Sequence, residues 1–101
     1  MIYTKNHEGI RLDVQAEGFT PKEELQERIL KMLTYLTRFT SEKIVYATIH
    51  MENNESYSTN QKSAKVILGV PGPDIIASDE GDNFMALIAN IEEKLARQLK
   101  K

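Results

Sequence analysis

The sequence predicts an α+β domain of order β-α-β-β-β-α, a four-stranded sheet with two helices on one face. Three observations predict it. Apolar and polar residues alternate with period two over residues 10–17, 43–51 and 64–70, as in strands that bury one face. Apolar residues recur at three- and four-residue steps over 21–39 and from residue 84 to the end, as in helices with one buried stripe. At 101 residues, with 41% hydrophobic and 28% charged side chains, the chain suits one domain spanning residues 1–101.

The first strand is Ile10-Arg11-Leu12-Asp13-Val14-Gln15-Ala16-Glu17, which alternates without a fault. Helix-start chemistry follows. Thr20 reads as N-cap, Pro21 as the first helical residue, where no amide donor is missed, and Glu23 as the partner closing a capping box. Leu25, Ile29, Met32, Leu33, Leu36 and Phe39 form the stripe of a helix over 21–39. The second strand, 43–51, sets Val45, Ala47, Ile49 and Met51 against Ile44, Tyr46, Thr48 and His50, and begins apolar on both sides. Residues 52–61, ENNESYSTNQ, read as a long hairpin loop. After the third strand, Pro71-Gly72-Pro73 forces a turn, because proline cannot donate to a ladder. Residues 74–78 read as a short fourth strand. Asp79, Glu80 and Asp82 read as acids at the positive end of the second helix, whose stripe is Phe84, Ile88, Ile91, Leu95 and Leu99.

The composition excludes several kinds of chemistry. Without cysteine there is no thiol catalysis, disulfide or thiolate metal site. The N-terminal segment MIYTKNHEGIRLDV lacks an apolar signal core, and no run reaches the ~18 apolar residues of a membrane span. A cytoplasmic protein with no membrane partner is therefore expected. His7 reads as a residue of a disordered end and His50 as a sheet-face residue. Neither has a sequence neighbour spaced for a triad or a metal pair. Five scattered glycines build no phosphate loop. The expectations are no enzymatic activity, no small-molecule substrate, no cofactor, no metal and a monomer.

Charge distribution says more than the net −2. Residues 79–93 hold five acids and no base, whereas residues 94–101 hold four bases and no acid. At 100° per residue, Lys94, Arg97 and Lys101 fall within an arc of roughly 60°, away from the apolar stripe. On the first helix Arg28, Lys31, Tyr35 and Arg38 share an arc of roughly 80°. Two positive ridges beside each other would suit RNA phosphates.

The run Asp74-Ile75-Ile76-Ala77-Ser78-Asp79-Glu80-Gly81-Asp82-Asn83-Phe84-Met85-Ala86-Leu87-Ile88, followed by Lys94-Leu95-Ala96-Arg97-Gln98-Leu99-Lys100-Lys101, resembles the ribosome hibernation-promoting factor and ribosome-associated inhibitor A family, formerly the sigma-54 modulation proteins. The resemblance implies a double-stranded-RNA-binding-like fold that binds the small ribosomal subunit and its rRNA near the decoding region. It also implies inhibition of translation and protection of idle ribosomes under stress. The family's three basic positions on the second helix match Lys94, Arg97 and Lys101. On the first helix Arg38 matches one basic position, Met32 and Tyr35 occupy two others, and Arg28 and Lys31 lie one turn away. Ending at Lys101, the sequence is expected to lack the longer basic tail and the extra C-terminal domain of long members. A reading of another class is a self-association or protein-interaction module without RNA affinity, using an apolar outer sheet face near Ile44, Tyr46 and Ile67.

Overall fold

The computed structural model of the chain describes residues 1–41, 43–55 and 60–100. Five strands, not four, form one mixed sheet in the order β1 (Ile2–His7), β2 (Ile10–Glu17), β3 (Tyr46–Glu55), β4 (Asn60–Gly69) and β5 (Ile75–Gly81). Helices α1 (Glu23–Leu36) and α2 (Phe84–Leu99) cover one face, and a 3₁₀ turn over Thr37–Phe39 extends α1. Only β2 and β3 pair in parallel, and α1 connects them.

The additional strand is the N-terminal segment. Glu8 and Gly9 both have positive φ, 52° and 82°, the backbone of a two-residue hairpin whose twist matches that of its strands. Asn6 supports the turn by accepting the Gly9 amide at 3.2 Å. The alternation in β1 is hidden because Ile2 faces outward, 75% exposed, on an edge strand. His7 is therefore not part of a disordered end: it pairs with Ile10, and its Nε2 lies 2.8 Å from Thr34 Oγ1 on α1.

Other boundaries move for identifiable reasons. Lys22, not Thr20, is the N-cap of α1, and it makes no side-chain cap hydrogen bond. Pro21 is buried and disfavours helical backbone at Thr20, so the chain turns into the helix two residues later than the capping-box reading required. The Pro21 carbonyl is taken up by Gln26 Nε2 at 3.0 Å. Of the expected loop at 52–61, residues 52–55 and 60–61 are strand, β3 and β4 staying in register out to Glu55↔Asn60, and residues 56–59 lie outside the described residues. Asp79 and Glu80 do not enter α2; they belong to β5, paired with Ala64 and Ser63. The cap of α2 is Asn83, whose Oδ1 accepts from the Met85 and Ala86 amides at 2.8 and 3.3 Å.

The core lies between helices and sheet. Ile29, Met32, Leu33 and Leu36 from α1 and Ile88, Ile91 and Leu95 from α2 pack on Leu12, Val14, Ile49, Met51, Val66 and Leu68. Among the described residues no polar side chain is fully buried. Ile44 belongs to this core at 2% exposure, and the outer face of the sheet is mostly polar. Tyr46 on that face lies over Gly69, where an added Cβ would sit 2.0 Å from its ring, and donates to Asp74 Oδ2 at 2.6 Å. Of the apolar outer patch expected around Ile44, Tyr46 and Ile67, Ile44 is in the core, while Tyr46 and Ile67 stay on the outer face, with Ile67 paired to the half-exposed Ile76.

Candidate nucleic-acid interface

Three contacts fix how the helices lie together. Phe19 and Phe84, just before α1 and at the start of α2, stack with centroids 4.4 Å apart. Farther along, Arg28 Nη1 meets Glu92 Oε2 at 2.9 Å. At the far end Lys100 Nζ lies 4.8 Å from the centre of the Phe39 ring. The contacts follow in the same order along both helices, so the helices run parallel and bring their C-terminal ends together.

Two of the helix cations are used by the fold. Arg28 and Glu92 keep only 23% and 18% of their side-chain surface exposed, and their ion pair clamps α1 to α2. Lys94 donates to the Ser78 carbonyl at 2.7 Å and lies 3.9 Å from Asp79. Gln98 donates to the Ile76 carbonyl at 3.0 Å. The two side chains cover backbone acceptors on the outer edge of β5, which would otherwise offer an unpaired strand edge. Asp79 accepts from Asn90 Nδ2 at 2.8 Å; this hydrogen bond is the main cause that holds its carboxyl below the ordinary aspartate range, and the Lys94 charge adds to it.

At the C-terminal end the cations face outward. Lys31, Tyr35 and Arg38 line one open groove with His7, Leu30 and Thr34. The Tyr35 ring meets Phe39 edge-on at 4.9 Å, and Phe39 in turn carries Lys100. Lys31, Tyr35 and Arg38 come together as expected, although Arg38 stands on the 3₁₀ turn. Arg97 is exposed at 68% and pairs with Glu93 one turn back. Lys101 lies outside the described residues. Phe39 and Lys100 are the members that the helical wheel missed. The sign of their role was present in sequence, an aromatic closing one apolar stripe and a lysine following the other, but their contact depends on the parallel packing.

The site offers cations and aromatic faces, suited to phosphate charge and stacked bases. It also lies where the negative ends of two helix dipoles meet, so any bound anion must be held by these side chains.

A model of the family described as sigma 54 modulation protein / S30EA ribosomal protein matches residues 12–101. Among curated proteins, none matches the sequence. The fold is similar to the N-terminal domain of Protein Y from Thermus thermophilus, with a TM-score of 0.77 at 16% identity over 91% of this chain and 96% of that one. It is also similar to a ribosomal subunit interface protein from Coxiella burnetii, with a TM-score of 0.65 at 23% identity over 85% of this chain and 91% of that one. With nearly all of its length matched, the chain belongs to the sigma 54 modulation protein / S30EA ribosomal protein family, whose members are ribosome-associated modulation proteins.

Proposed function

We propose that the protein binds the small ribosomal subunit near its decoding region, with rRNA phosphates against the joined C-terminal ends of α1 and α2, and that it inhibits translation while bound, as a cytoplasmic stress factor that acts as a monomer without catalysis. One observation carries this reading: Lys31, Tyr35, Arg38, Phe39 and Lys100 form a continuous cationic and aromatic surface drawn from both helices. Family membership supplies the ribosome as the partner. The resemblance stated above supplies the subunit and its decoding region.

Acids elsewhere strengthen the reading despite the net charge of −2. Glu23 and Glu24 occupy the first turn of α1, and Glu17, Glu52 and Glu80 lie on the open sheet face. The molecule is thus polar, and a phosphate surface would attract the C-terminal end and repel the others. Arg28 and Lys94 take part as scaffold, holding the helices and β5 in the geometry that presents the remaining cations.

The test is sedimentation of the purified chain with small ribosomal subunits over a salt series, alongside translation in a reconstituted system. Saturable binding at ~0.15 M salt that weakens linearly on a log-log salt plot, together with lower translation, is expected. Absence of co-sedimentation at that salt, or binding insensitive to salt, would overturn the proposal.

A further inference from the structure

The open face of the sheet, opposite the helices, carries a cluster that the sequence did not reveal. His50 and Glu52 alternate along β3 and so share a face, and the parallel register with β2 places Glu17 beside Glu52 and Gln15 beside His50. His50 Nε2 lies 3.4 Å from Glu17 Oε1 and 3.6 Å from Glu52 Oε1, and the three donor atoms all lie within 4.8 Å of one another. Among the described residues this is the one group of three or more histidine or acidic side chains whose donor atoms approach so closely.

Two properties separate it from an ordinary group of surface charges. The first is spacing. A tetrahedral ion with bonds of about 2.0–2.1 Å to nitrogen and oxygen holds its ligands about 3.3–3.4 Å apart, close to the two measured separations. The second is the state of Nε2. The atom is shielded from solvent yet makes no hydrogen bond, the two carboxylates being its nearest polar contacts. A metal cation placed among the three would take the Nε2 lone pair of the neutral imidazole and offset both carboxylate charges.

We infer that Glu17, His50 and Glu52 form a binding site for a divalent transition ion of the zinc class. One imidazole and two carboxylates supply three ligands, and a water completes the fourth position. A polar depression lined by His50, Glu52, Ser63, Lys65, Ser78 and Glu80 adjoins the cluster and gives that water access. Lys65, opposite His50 in the β4 register, is the neighbouring positive charge that limits affinity. The site ties β2 to β3, so a bound ion stabilises the folded state in proportion to its occupancy. It lies on the face away from the helices, and the inference holds whether or not the ribosome reading does.

The experiment is calorimetric titration of the purified chain with zinc chloride, with the side-chain ¹⁵N resonances of both histidines followed by NMR. One ion per chain in the micromolar range is expected, with His50 Nε2 shifting and His7 unmoved. H50Q and E52Q should each weaken binding by about tenfold or more, and K65Q should not weaken it. Zinc should raise the melting temperature of the parent chain but not of H50Q, and unchanged apo melting confirms that these variants fold. Uptake only at millimolar zinc, a shift at His7 instead of His50, or binding that H50Q leaves unchanged would overturn the site.

Discussion

The two ends of the paired helices carry the same kinds of side chain and use them in opposite ways. From the N-terminal end to the middle, Phe19 and Phe84 stack, Asn83 caps α2, and Arg28 is enclosed against Glu92. At the C-terminal end Arg38 borders an open groove and Lys100 lies over an aromatic ring. A helical wheel places Arg28 and Arg38 on one ridge. What separates them is the partner that the other helix supplies: Glu92 pairs with Arg28, and among the described residues no acid is paired with Arg38. Surface position alone does not decide the role of a cation; a counter-charge built into the fold ties it to the scaffold.

The largest expected effect falls on binding. Replacing Lys31, Arg38 and Lys100 together by glutamine should remove about two to three units from the log-log salt slope of subunit binding. The melting curve should move little, because exposed side chains contribute within about 0.5 kcal/mol each. An unchanged salt slope would mean that the C-terminal end does not meet the phosphates, and the contrast between the ends would lose its functional meaning.

Arg28→Gln should show the reverse pattern. Glu92 would be left largely buried without its partner, at a cost of about 1–3 kcal/mol of stability, while the salt slope stays as in the parent chain. A further Glu92→Gln substitution should recover part of the loss, and a double-mutant cycle of denaturation midpoints measures it. If Arg28→Gln instead lowers the salt slope by a full unit at unchanged stability, Arg28 belongs with the binding cations.

The helix entries differ in the same sense. Asn83→Ala should cost about 0.5–2 kcal/mol, because two amides of α2 lose their acceptor. Thr20→Ala should stay within about 0.5 kcal/mol, since Thr20 is exposed and caps nothing. Thermal melts of the two variants side by side decide the matter, and equal losses would restore Thr20 to the helix start.

The sequence carried the buried stripes almost whole. Leu25 to Leu36 and Phe84 to Leu95 are the residues that α1 and α2 bury, because a three-and-four periodicity is a local property of the chain. It also brought Lys31, Tyr35 and Arg38 to one groove. What stayed hidden was set by contacts between distant segments. β1 alternates without an apolar face, and its Glu-Gly hairpin is a weaker signal than Asn-Gly. The pairing of Arg28 with Glu92 spans 64 positions, and that of Lys94 with β5 needs the helix already docked. Glu17 meets His50 only because β2 and β3 run parallel.

The smallest effect concerns a residue that stands between the two roles. Asp79 holds Lys94 on the edge of β5, and its carboxyl is depressed chiefly by the Asn90 hydrogen bond and further by the Glu80 amide and the Lys94 charge. A carboxyl depressed in the folded state contributes stability that is present above its unfolded pKa and is lost as pH falls through the lower folded value. Asp79→Asn should therefore flatten the acid side of the stability curve below about pH 4, read by chemical denaturation across pH, by a small loss of stability at neutrality and none at low pH, where the carboxyl is protonated in both states. It should also free the Lys94 ammonium from its counter-charge while leaving the Ser78 carbonyl as its anchor. If Lys94 adds to the phosphate surface, Asp79→Asn tightens subunit binding and steepens the salt slope by up to about one unit. An unaltered slope with a flattened acid limb would confine Lys94 to the scaffold, beside Arg28.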